Sequence, residues 1–190
     1  MQKRIFDILF SLLAIVILSP LFAIIILSML LGGCRPIIFK QERIGLHGKP
    51  FLIYKFRSMI VHAEESVPKL TEENDERLTR IGRFLRAHHL DELPQLWNVL
   101  RGDMSFIGYR PERQYFIDKI MLHDDRYSRL YEMRPGVTSY ATLYNGYTDT
   151  MEKMLRRLEY DLYYLDHHSL LFDIKILYLT AMKIVSGKKF

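Results

Sequence analysis

The stretch IFDILFSLLAIVILSPLFAIIILSMLL, Ile5 to Leu31, governs the architecture of this chain. As a helix rising 1.5 Å per residue it would run about 40 Å, more than the roughly 30 Å hydrocarbon core of a bilayer. Length alone therefore reads as a transmembrane anchor. Ser19-Pro20 at its middle argues for something else, because proline removes a helical hydrogen bond and clashes with the carbonyl four residues earlier, which predicts a bend. Each half would then reach only about 18–23 Å, too short to cross alone. Ser19 is placed to donate a hydrogen bond to a carbonyl that the proline frees.

The flanking charges point the same way. Lys3 and Arg4 precede the stretch, and Arg35, Lys40 and Arg43 follow it. A spanning helix usually separates a basic from a less basic side. Equal flanks predict a re-entrant helix in residues 1–34 that enters, turns at Ser19-Pro20 and leaves by the cytoplasmic face, with residues 35–190 as a membrane-associated domain on that face. Leu31-Gly32-Gly33-Cys34 also has the look of a lipoprotein signal. The apolar run is far longer than the roughly 7–15 residues of a signal core, however, and Asp7 interrupts its start. A mature protein beginning at a lipidated Cys34 would overturn the re-entrant reading.

In the remaining residues Lys and Arg are widespread. The whole chain carries a net charge of +5 with a pI near 9.2, which calls for an anionic partner: nucleic acid, lipid surface or phosphorylated substrate. The single cysteine excludes an intrachain disulfide framework. No zinc-finger or RNA-recognition signature accompanies the charge, which disfavours nucleic acid.

Pro36 to Phe39 and Phe51 to Phe56 read as extended segments around the turn-like Gly45-Leu46-His47-Gly48. His62 to Asp75 reads as a solvated acidic helix and loop. From Asp75 to His88, Leu78, Ile81, Phe84 and Leu85 keep helical spacing while Arg77, Arg80, Arg83 and Arg86 recur every third residue, a basic face suited to solvent, lipid headgroups or phosphate. Asp91-Glu92-Leu93-Pro94 reads as a helix start closed by Gly102, with Leu93, Leu96, Trp97 and Leu100 as its apolar face. Arg110-Pro111 predicts a second start, with a helix through about Met121 and Arg110 beside its N-terminus as an anion site. Pro135-Gly136 and Asn145-Gly146 bracket an expected hairpin from Val137 to Tyr144. Thr148 to Asp166 and Ser169 to Ser186 read as two helices. The expected fold is mainly α with a small β element.

Asp91 and Glu92 sit among Arg83, Arg86, Arg101 and Arg110 in sequence, a pattern that a helix cap with surface ion pairs explains equally well. A zinc set of His88, His89, Asp91 and Glu92 fits poorly, since adjacent residues rarely converge on one tetrahedral ion. The run LDELPQLWNVLRGDMSFIGYRPE, Leu90 to Glu112, adds a more specific pattern. It closely resembles the signature of the bacterial sugar transferases called small monotopic phosphoglycosyl transferases. Lys3-Arg4-Ile5-Phe6-Asp7, Ser19-Pro20, Gln41-Glu42-Arg43-Ile44-Gly45, Tyr54-Lys55-Phe56-Arg57-Ser58-Met59 and Arg134-Pro135-Gly136-Val137 extend the likeness over nearly the whole chain. The sequence departs from the common pattern at Tyr109, where many members carry proline, and across Ser139 to Gly146, where the usual run is Gly-Trp-Ala-Gln-Val-Asn-Gly.

The resemblance implies a re-entrant helix, amphipathic interfacial helices and an enzyme of the bacterial inner membrane that transfers a sugar phosphate from a UDP-sugar to polyprenol phosphate. It implies Asp91 as nucleophile, Glu92 as its partner, and Mg2+ held by Asp91 and Glu92. Lys55, Arg86 and Arg110 are candidates to bind substrate phosphate; paired guanidinium donors suit phosphate oxygens where lysine offers a point charge. Anionic lipid is an expected partner and a homodimer is compatible with the pattern. The competing reading is a non-catalytic scaffold that binds anionic lipid, which needs neither the Asp-Glu pair nor Arg110.

Overall fold

The computed structural model describes residues 2–61, 75–146 and 148–186. The acidic stretch from His62 to Asn74 lies outside them. The fold is mostly helical with two small sheets and one long apolar N-terminal helix.

That helix, α1, runs Gln2–Leu31 and stays helical through Pro20. Proline 20 has no N–H to offer Val16, and Ser19 Oγ donates to the Val16 carbonyl at 2.8 Å, as the sequence predicts. Both ends of α1 are tied to the rest of the chain. At the start, Lys3 Nζ meets Asp173 at 2.7 Å and Arg4 donates to the Val99 and Leu100 carbonyls at 2.5 and 2.8 Å. Asp7 accepts from Ser105 Oγ and the Phe106 N–H. Toward the other end, Ile25 and Met29 pack with Cys34, Phe56 and Leu85. Between these anchors Leu9, Leu13, Val16 and Ile17 remain exposed, the last two at 63%. An apolar face of that extent on a helix long enough to cross a membrane is what lipid contact requires.

Strands β1 (Ile38–Ile44) and β2 (Pro50–Phe56) form an antiparallel pair in which Ile38 faces Phe56 and Ile44 faces Pro50. The connection through Gly45 to Lys49 holds a short 3-10 turn with His47 in the left-handed region. Helix α2 (Arg80–Ala87) begins later than the apolar spacing suggests. Leu78 is instead drawn into a bridge with Met59, and Thr79 caps the helix by accepting from the Gly82 N–H. Gly82 allows this approach, for a Cβ there would lie 1.9 Å from the Ser58 carbonyl oxygen.

Helix α3 (Gln95–Arg101) ends at Gly102, whose φ of 96° only glycine adopts readily. Its buried side is not the expected apolar stripe. Trp97 is exposed, while Asn98 is wholly buried, accepting from Tyr54 N–H and donating to the Leu52 carbonyl. Asn98 thereby satisfies backbone groups on the open edge of β2 and fixes α3 against the sheet.

The expected hairpin at Val137 to Tyr144 does not form. Gly136–Thr138 is a strand, β4, paired in parallel with β3 (Ser105–Ile107), and Tyr140–Tyr144 is a helix, α5, capped by Ser139. Two turn dipeptides resembled a hairpin, but the partner strand lies about thirty residues upstream, a pairing that local turn chemistry cannot announce. Helices α4 (Gln114–Met121) and α6 (Met151–His167) build the main core with Tyr109, Tyr127 and Leu130. Helix α7 (Leu170–Val185) buries Ile176 and Asp173 but exposes Leu171, Ile174 and Tyr178.

Candidate active site

The polypeptide leaves α2 through His88 and His89, the latter in the left-handed region at φ 54°. A left-handed residue ends a helix by letting the next N–H groups turn back to the last carbonyls, and His89 N–H donates to Arg86 O at 3.1 Å. The chain then makes a single 3-10 turn, Leu90–Glu92, before Pro94 opens α3. The Asp-Glu pair therefore does not start a helix. Pro94 caps α3 without a side-chain bond, so both carboxylates are released from capping and turned to other partners.

Lysine 55, near the end of β2, reaches Glu92 Oε1 with its ammonium at 2.6 Å. Arg110 approaches the same oxygen at 3.8 Å, and Arg86, in the last turn of α2, lies 4.0 Å from Asp91 Oδ2. All five residues singled out in the sequence thus meet at one place, although they come from β2, α2, the 3-10 turn and the loop after β3. The basic stripe is divided by the fold: Arg77 forks onto Asp75 while Arg86 turns to Asp91.

The two carboxyls are unlike. Asp91 is buried, and that burial raises its pKa above the ordinary carboxylate value; Lys55 and Arg86 oppose the rise and the neighbouring Glu92 charge adds to it. Burial works against ionised Glu92 too, but Lys55 and Arg110 outweigh it and hold the pKa at about 2. Glu92 is consequently a committed anion that organises cations, and Asp91 a more basic carboxylate. Environments that push neighbouring carboxyls apart mark a division of roles.

Arg110 does not flank a helix N-terminus as expected. Helix α4 begins at Gln114, and Tyr109 to Arg113 is non-helical. Tyr109 is fully buried and donates its hydroxyl to the Ile44 carbonyl, so the residue that departs from the family pattern is a packing anchor. Gly108 permits the strand to enter this loop, since a Cβ would lie 2.1 Å from the Arg134 carbonyl oxygen.

A second charged group supports that loop, and the sequence reading missed it. Glu112 accepts from Arg157 at 2.5 Å and from Arg43 at 3.2 Å, and the Asp161 carboxylate accepts from the Arg110 backbone N–H. Asp161 is 2% exposed, and burial pushes its pKa up to about 7 against the pull of Arg157. The signal was present: Asp161 falls on the stripe of Met154, Leu158 and Leu165, where a charge on the core side of a helix asks for buried partners.

The turn thus presents two carboxylates of different basicity to Lys55, Arg86 and Arg110, in a chain whose α1 is long and apolar enough to cross a membrane. The chain belongs to the bacterial sugar transferase family, whose model matches residues 1–187. It is 41% identical over 95% of its length to the UDP-glucose:undecaprenyl-phosphate glucose-1-phosphate transferase of Escherichia coli (strain K12), of which the match covers 39%. A UDP-N-acetylgalactosamine-undecaprenyl-phosphate N-acetylgalactosaminephosphotransferase of Aeromonas hydrophila is 37% identical over 97% of the chain and 44% of that protein. An uncharacterised sugar transferase of Bacillus subtilis (strain 168) is 38% identical over 96% of the chain and 87% of its own length. The chain spans less than half of the first two relatives.

Proposed function

We propose that this chain is a polyprenol-phosphate phosphoglycosyl transferase, moving a sugar 1-phosphate from a UDP-sugar to undecaprenyl phosphate with release of UMP. The observation that carries the reading is the convergence of Lys55, Arg86 and Arg110 on the Asp91-Glu92 turn. The relatives that act on UDP-glucose or UDP-N-acetylgalactosamine support the same donor and acceptor classes.

In the proposed reaction an Asp91 carboxylate oxygen attacks the β-phosphorus of the donor. The bond from that phosphorus to the bridging oxygen breaks, and UMP leaves with the electron pair. The phosphate oxygen of undecaprenyl phosphate then attacks the aspartyl phosphosugar, forming the diphosphate bond and returning the carboxylate. A covalent intermediate lets a soluble donor and a lipid acceptor use one centre in turn. The raised basicity of Asp91 makes it the better nucleophile of the pair. Arg110, its side chain 44% exposed and 3.8 Å from Glu92, would fork onto donor phosphate oxygens. Lys55 and Glu92, hydrogen-bonded to each other, hold the rim.

Among the described residues no group of three or more His, Cys, Asp or Glu gathers as a metal site. Asp91 and Glu92 still suit Mg2+, which accepts one or two carboxylates and completes its shell with phosphate oxygens and water. Bound there, magnesium would neutralise diphosphate charge. The attachment of both ends of α1 to the same unit, with exposed apolar residues between them, supports the re-entrant reading and a site at the cytoplasmic face of the inner membrane.

Protein in nanodiscs given UDP-sugars, undecaprenyl phosphate and magnesium should release UMP. Donor alone should leave a phosphosugar adduct on Asp91, visible by mass spectrometry of the denatured chain. Failure of a broad UDP-sugar panel to yield UMP would favour the lipid-binding scaffold.

A further inference from the structure

Immediately after α1 the chain borders a second concavity. A cavity of about 630 Å³ is lined by residues 32–35, 57, 59–61 and 79–81. Its walls combine two chemistries. Arg35, Arg57 and Arg80 supply guanidinium groups, while Ile60, Val61 and Ile81 supply apolar surface, with Ile60 and Val61 exposed. Among the described residues none of these three arginines has a carboxylate partner, in contrast to Arg77, Arg86 and Arg110 nearby in sequence. Arg57 is nevertheless held in place: its Nε donates to the Pro36 carbonyl at 2.9 Å and its guanidinium lies 5.6 Å from the centre of the Phe39 ring.

The cavity is separate from the Asp91 turn. Cys34 and Ile81 belong both to its lining and to a hydrophobic layer that continues through Phe56 and Leu85 to Leu90 and Leu93, the residues that flank the acidic pair. It opens where α1 ends, beside Leu31, which is 81% exposed.

We propose that this cavity binds an anionic bilayer phospholipid, its phosphate held by Arg35, Arg57 and Arg80 and its proximal acyl carbons lying on Ile60, Val61 and Ile81. Guanidinium groups select a phosphate through forked donors. The adjoining apolar wall then selects a lipid over a soluble phosphate, which would leave that wall uncovered. Continuity with the exposed face of α1 supplies the remaining acyl path. The site rests on α1 lying in a bilayer and not on the transfer reaction.

Native mass spectrometry of the full chain, released from nanodiscs containing phosphatidylglycerol and phosphatidylcholine without any UDP-sugar, reads the site directly. One phosphatidylglycerol should remain per chain. Arg35→Gln combined with Arg80→Gln should lower that retention about tenfold or more, Arg35→Lys with Arg80→Lys should restore part of it, and Arg83→Gln on the exposed basic stripe should leave it unchanged. Equal retention by the double glutamine variant would overturn the site, as would equal retention of phosphatidylcholine. One-for-one displacement of phosphatidylglycerol by undecaprenyl phosphate would overturn the assignment to a bilayer phospholipid. Because both arginines are exposed, thermal unfolding of the glutamine variant should match the parent, and the lysine variant reports on the site if it does not.

Discussion

Two acidic clusters surrounded by cations lie on either side of Arg110, and they are built to opposite ends. At Glu112 both carboxylate oxygens are taken: Arg157 and Arg43 each hydrogen-bond one, and both guanidiniums are largely buried. Around Asp91 and Glu92, Lys55 sits at hydrogen-bond distance from Glu92, while Arg86 lies 4.0 Å from Asp91 and Arg110 3.8 Å from Glu92. A closed cluster fixes a backbone; a cluster whose cations stand at longer range leaves room for a ligand's oxygens to come between them. The difference separates scaffold from proposed site with the same residue types, and Arg110 joins them: its N–H meets the Asp161 carboxylate and its guanidinium faces Glu92.

The sharpest break falls on Asp91. Asp91→Asn keeps the shape but removes the proposed nucleophile, so UMP release should fall on the order of a thousandfold or more. Stability should move the other way. The folded-state pKa of Asp91 lies above its unfolded value, so its stabilising contribution is complete below the unfolded pKa and is lost as pH rises through the folded one. At neutral pH the buried charge therefore costs stability, and the neutral amide should unfold at a higher temperature. An inactive variant that is also less stable would show that Asp91 is a structural ion pair and not a reactive group.

Next in size is the closed cluster. Arg157→Leu leaves Glu112 and Asp161 facing each other without their shared cation, a loss of about 3 kcal/mol that chemical denaturation can measure. Should that variant unfold like the parent, the cluster would not be the scaffold of the Arg110 loop. Arg110→Ala should invert the pattern, with UMP release down about 10–100-fold and stability within about 0.5 kcal/mol. Arg110→Lys should recover only part of the activity, because a point charge does not reproduce forked donors. Full recovery by lysine would remove the bidentate role.

What could be read from the chain follows the range of the interactions involved. The apolar α1, the Ser19 hydrogen bond to Val16, the β1–β2 pair and helices α6 and α7 were legible because their signals are local: hydropathy, proline chemistry and helical spacing. The acidic pair, Lys55, Arg86 and Arg110 were legible through family likeness, although the sequence assigned the pair to a helix start that proved to be a 3-10 turn. The parallel β3–β4 pairing and the Arg43–Glu112–Arg157 cluster were not legible. Each needs partners brought from distant parts of the chain, and in sequence Arg157 and Asp161 pass for an ordinary exposed pair four residues apart on a helix. Only the apolar neighbours of Asp161 on the same stripe distinguish it.

Asp161 gives the finest test of the contrast, one made by pH alone. Its pKa of about 7 in the folded chain stands above the ordinary Asp value of 3.8, with burial as the main cause and Arg157 as the chief opposing influence. Between these values the folded state holds a proton that the unfolded state has released, so stability declines as pH rises from about 4 toward 7 and then levels off with respect to this group. Asp161→Asn removes that dependence. The unfolding temperatures of parent and variant should differ least near pH 5 and separate by a few degrees, in favour of the variant, as pH approaches 8. Asp91 titrates identically in both proteins and cancels from the difference. A gap that stays constant across this range would mean that Asp161 is already ionised throughout, with Arg157 fully compensating its charge, and the closed cluster would then be an ion network and not a buried proton store beneath the Arg110 loop.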